Sequence, residues 1–68
     1  MDNLELLALA ITTAKETCKD FPDEVIYMYF SKELNEFTNC PEKNLPILLA
    51  AEPNLTLVAK FMNGEQVK

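Results

Sequence analysis

Val25-Ile26-Tyr27-Met28-Tyr29-Phe30 is the stretch on which the fold of this chain turns. Six consecutive β-branched, aromatic or long apolar side chains read as a strand. A helical reading competes with it. Pro22 followed by Asp23 and Glu24 is a good helix start, and Ile26, Phe30, Leu34 and Phe37 fall at helical spacing. Run length and β-branched content favour the strand. The predicted fold is therefore α+β: an N-terminal helix packed on a small antiparallel sheet, with a short second helix. The alternative is an all-α four-helix domain. As a strand, the stretch places Ile26, Met28 and Phe30 on one face and Val25, Tyr27 and Tyr29 on the other. Both faces need cover.

The cover for one of them is written upstream. Leu4, Leu7, Ile11, Ala14, Cys18 and Phe21 alternate at spacings of three and four, one stripe of a helix over about residues 3–20, and Leu6 and Ala10 broaden it. Asp2 and Glu5 have the spacing of a capping box. The stripe is too short for a dependable coiled-coil seam. Phe21-Pro22 ends the helix, because proline disfavours helical geometry in the residue before it.

Downstream, residues 31–38 can return as a second strand through a polar turn, anchored by Leu34 and Phe37. Residues 39–44 have loop composition, which leaves Cys40 exposed. Residues 45–51 form a short helix begun near Pro46, and residues 55–62 alternate as a half-buried strand. Read as a helix, residues 53–64 would instead suggest a helix-turn-helix regulator. Asn63-Gly64 is a type I′ turn or a helix cap, and the segment from there to Lys68 is too short for a strong returning strand.

Sixty-eight residues make a single domain, 1–68, that buries a modest share of its unfolded surface. A dimer is expected, because a strand apolar on both faces leaves area that so small a monomer hardly covers. Two cysteines are too few for a disulfide framework. Without histidine or a paired-cysteine motif there is no metal site, and no cofactor is expected. The apolar run over residues 4–14 lacks preceding basic residues and is too short to span a bilayer, so the chain reads as cytoplasmic, with no membrane partner.

Eleven acids face six lysines and no arginine, for a net charge of −5. That balance opposes direct nucleic-acid binding, which needs clustered cations for the phosphates. Catalysis lacks parts as well: no imidazole for a general base, and one glycine where a phosphate loop needs several. Most of the negative charge lies between residues 16 and 36, where Glu16, Asp20, Asp23, Glu24, Glu33 and Glu36 outnumber two lysines and accompany Tyr27 and Tyr29. Carboxylates steer approach and aromatic side chains anchor contact, so these eight residues are the candidate partner-binding set. The expected function is a non-enzymatic, acidic inhibitor or regulator that engages a basic protein, including one that handles nucleic acid, by imitating phosphate spacing. Small phage-encoded inhibitors suit that profile. The alternative is a structural or assembly subunit that docks or self-associates through its tyrosine face.

Overall fold

The computed structural model describes residues 2–68 and has an α+β fold with two helices on a four-stranded antiparallel sheet. Helix α1, Asn3–Asp20, starts where the sequence places it: the Asp2 carboxylate accepts the Glu5 N–H at 2.9 Å, satisfying one of the free donors of the first turn. It ends with the Phe21 N–H on the Cys18 carbonyl, ahead of Pro22. Ala10, Ala14 and Cys18 are buried and Leu7, Ile11 and Phe21 pack beside them, while Leu4, at the start of the same stripe, is 78% exposed. The stripe overruns the sheet it covers.

The deciding stretch is a strand, β1 (Ile26–Ser31). It pairs antiparallel with β2 (Glu36–Pro41) on one side and β3 (Thr56–Met62) on the other, and β4 (Glu65–Val67) pairs with β3, giving the order β2-β1-β3-β4. Against α1 lie Ile26 and Met28 of β1 and Phe61 of β3, all buried, with Phe37 and Ala59 partly so. This is the core.

Since β2 and β3 are both antiparallel to β1, they run parallel to one another, and such strands need a crossover. A 3-10 turn, Glu42–Asn44, and helix α2, Leu45–Ala51, supply it. The crossover is tied to the face opposite α1. Tyr27, which alternation turns away from the core, donates its hydroxyl to Glu42 at 3.0 Å, and the Glu42 N–H reaches the Val25 carbonyl at 2.9 Å. On that face Tyr29, Ser31 and Cys40 are buried. On the second side of the aromatic strand Tyr29 is therefore buried within one chain, while Tyr27 stays half-buried.

Three local expectations are corrected. The strand β2 runs to Pro41, so residues 39–41 are sheet and not loop, because Asn39 and Cys40 pair with Met28 and Tyr27. Cys40 is consequently buried, at 7% exposure, and burial pushes its thiol up from the usual range. Residues 56–62 are strand β3, which removes the helix-turn-helix reading. The turn at Asn63-Gly64 lets even a three-residue β4 return, with both residues at positive φ, the backbone of a tight hairpin.

Cys18 and Cys40 are both free thiols, on opposite faces of the sheet. Among the described residues, no helix is long and apolar enough to cross a membrane.

Candidate functional site

The eight residues singled out from sequence do not form one ring. Asp23 and Glu24 precede β1, whereas Glu33 and Glu36 follow it, so the strand's full length separates the two acidic pairs. Several are engaged within the chain. Glu16 pairs with Lys19 at 3.3 Å and Glu24 with Lys43 at 3.7 Å. Asp23, at positive φ, donates its N–H to Asn63 Oδ1 at 2.8 Å and accepts Asn63 Nδ2 at 3.0 Å. This reciprocal pair ties the turn before β1 to the β3–β4 hairpin.

The two tyrosines stack, their ring centroids 6.4 Å apart with 17° between planes. Only Tyr27 is accessible. Tyr29 is 9% exposed. Tyr27 is itself held: its bond to Glu42, helped by partial desolvation and the Glu42 charge, raises the phenol above its ordinary range, and Lys60 Nζ lies 5.9 Å from its ring. A neighbouring cation–π contact places Lys43 Nζ 5.1 Å from the Phe21 ring. The tyrosine face is a satisfied surface.

One of the acids, Glu36, does border apolar surface. Beside α1, on the β2 side, runs a groove of about 250 Å³ lined by Leu6, Leu9 and Thr13 from the helix and by Glu36, Phe37 and Asn39 from the strand. Leu9 is 53% exposed. Spacings of seven, four, three and four along the chain put Asp2, Leu9, Thr13, Glu16 and Asp20 on one helical stripe, with Glu16 and Asp20 beyond the groove toward the end of the helix. Glu36 borders the groove at its strand end, although alternation turns its side chain with Thr38 and Cys40 to the face opposite α1. The groove thus has an apolar floor, and of the predicted residues it is Glu36 that lines it; Glu16 lines a separate cavity with Cys18, Lys19 and Asn63.

Within the groove Asn39 Nδ2 donates to the Ala10 carbonyl at 3.2 Å, across 29 residues of chain, while its Oδ1 is buried without a hydrogen-bond partner. Buried acceptors are normally satisfied, so this oxygen is an unused site. Leu6, Leu9, Phe37 and Asn39 were not among the predicted set. Their signal in the sequence is faint: Leu9 lies off the buried stripe of α1, an apolar residue without a core to enter.

A second apolar groove, of about 420 Å³, opens on the other flank of α1 between Leu4, Leu7, Phe30, Phe37 and Val58, with Lys32 at its margin. It has no acidic rim. Comparison of the chain with protein-family models, with curated proteins and with solved structures found no match.

Proposed function

We propose that this chain is a non-enzymatic protein-binding module, an inhibitor or regulator that presents the apolar groove between α1 and β2 to a basic segment of a partner protein. The observation that supports this reading is the groove's apolar lining, with Leu9 exposed and Leu6 and Phe37 half-buried, between two elements that carry the acids Glu16, Asp20 and Glu36. Apolar side chains desolvated at the centre of a contact hold a partner, and charges around it select and steer it. The chain's net charge of −5 selects lysine- or arginine-rich surfaces.

The test is affinity capture from the native host at low and high salt, with wild type, Leu9→Ser and the triple variant Glu16→Lys, Asp20→Lys, Glu36→Lys side by side. A basic protein retained at low salt, weakened by salt and lost with either variant is the expected result, because exposed charges are screened within about 10 Å at 0.1 M salt. Capture that ignores both variants would rule the groove out.

The assembly reading is favoured by a different observation, the exposed Leu4 and Val58 on the other flank of α1. It requires salt-insensitive association that is lost on Leu4→Ser and unaffected by Leu9→Ser.

A further inference from the structure

We infer that the basic segment binds in extended form, as a fifth strand hydrogen-bonded to the free edge of β2; this rests on the function proposed above and adds the mode of recognition. The starting point is the backbone alternation of the sheet. Met62 and Glu65 close a two-residue turn, which makes them a pair that exchanges both ladder bonds. Its neighbour Phe61 therefore turns its N–H and C=O toward β1, where it faces Ile26.

Alternation along β1 then points Ile26 and Met28 at β3, and Tyr27 and Tyr29 at β2. Their partners across β2 are Cys40 and Thr38. The residues between, Phe37 and Asn39, turn their backbone N–H and C=O outward, away from β1. Neither residue's outward backbone groups have a protein partner among the described residues.

The same two residues send their side chains to the α1 face, into the groove. A strand laid beside β2 would meet backbone bonds and groove together, the arrangement in which an edge strand and a neighbouring helix grip a peptide. From Phe37 to Cys40 the edge has neither charge nor proline, the usual obstacles to strand addition. The sheet's other incomplete edge is less suited, since β3 carries a register break facing Met28 and Tyr29 and is partly occupied by β4.

Charge decides the occupant. A second copy pairing edge to edge would bring a second net charge of −5 to the contact, and bringing like charges together is unfavourable. In a segment with lysines on alternate positions and apolar residues between them, the apolar set turns to the groove and the lysines to the opposite face, the side to which alternation turns Glu36.

The experiment uses the intact chain and a panel of blocked synthetic hexapeptides alternating Lys with Val, Leu or Phe, each made also with N-methyl groups on alternate backbone nitrogens, in both registers. Amide hydrogen exchange of the free protein should show fast exchange at Phe37 and Asn39 beside slow exchange at Thr38 and Cys40. Peptide addition should slow Phe37 and Asn39 specifically, and N-methylation in the bonding register should weaken binding at least about ten-fold, since two ordinary backbone hydrogen bonds are lost. N-methylated peptides that bind as well as their parents, with β2 exchange unchanged, would overturn strand addition while leaving the groove standing. Failure of every peptide to bind at low salt would overturn both. Protection of the same two amides that grows with protein concentration alone would assign the edge to a second copy and overturn the basic partner.

Discussion

One chemical change made in two places tests the fold directly: Ile26→Val and Ile47→Val each remove a single methylene. Ile26 is fully buried at the centre of the sheet, under α1, whereas Ile47 on α2 is 73% exposed. Deleting a buried methylene in this way costs about 0.5–1.5 kcal/mol, but a surface change away from special features stays within roughly 0.5 kcal/mol of neutral. The small size of the chain amplifies the difference. With an unfolding entropy of about 2.1 cal/mol/K per residue, 68 residues give roughly 140 cal/mol/K, so each kcal/mol moves Tm by about 7 °C. Ile26→Val should therefore lower Tm by about 3–10 °C, and Ile47→Val by no more than about 3 °C. Thermal unfolding followed by circular dichroism, with urea titration to check that the m-value is unchanged, reads both. Equal shifts for the two variants, or a larger one for Ile47→Val, would refute the placement of β1 beneath α1 and return residues 24–38 to the helical alternative.

Phe61→Ala removes a ring that is 1% exposed, at a cost of about 3–5 kcal/mol; the whole domain holds only roughly 3–10 kcal/mol, so this variant should be largely unfolded by near-UV circular dichroism and amide exchange. Alkaline stability depends on Cys40: folding raises its thiol pKa through burial, the unfolded chain therefore ionises first, and the stabilisation is whole below the unfolded thiol's range and lost as pH rises from there through the folded one. Urea midpoints should fall above about pH 8.5 in wild type and less so in Cys40→Ala, and Tyr27, also raised by its bond to Glu42, extends the loss to higher pH. Iodoacetamide should label neither Cys18 nor Cys40 at neutral pH in the folded chain, since both are buried, and should label both in denaturant; rapid labelling of Cys40 under native conditions would return it to an exposed loop. Gly64→Ala should destabilise by about 1 kcal/mol or more in urea titration, as φ is +87° with no atom near the added methyl, so that backbone conformation alone is at stake.

The parts of the fold legible in the sequence are those where one local rule acts without a rival. The stripe from Leu7 to Phe21, the Asp2 cap and the Pro22 stop agree with one another, and α1 forms within the expected limits. The run from Ile26 to Phe30 needed arbitration, and tertiary pairing on both sides supplies what periodicity alone did not. Residues 39–41 misread because Asn, Cys and Pro favour loops locally, yet edge strands tolerate them: pairing with Met28 and Tyr27 holds the backbone, and proline at the strand's end forfeits no inward bond. Burial of Tyr29 and Cys40 was illegible for a different reason. It depends on which side of the sheet the crossover takes, a property of topology that no window of residues contains. The candidate site was half visible for the same cause: Glu16, Asp20 and Glu36 stand out as charges, but that α1 brings Leu9 beside Phe37 is a fact of packing.

The open edge of β2 and the acids near it answer one another physically. A charge-free edge from Phe37 to Cys40, flanked by an exposed leucine, is the kind of surface on which identical chains stack. Blunting it with a lysine or proline inside the strand would close it to every partner. Placing the carboxylates on α1 and at the first residue of the strand, Glu36, acts differently, because repulsion between copies falls on self-association and leaves a cation-bearing segment attracted. The two effects also part company with salt. Screening weakens the attraction to a basic partner and the repulsion between copies together, so raising ionic strength should release the partner while bringing the chains toward edge pairing. Sedimentation of the isolated protein from low to high salt reads the second effect alone. A shift toward larger species that Glu36→Gln reproduces in part at low salt is expected; a monomer indifferent to both would show that the carboxylates do not guard the edge.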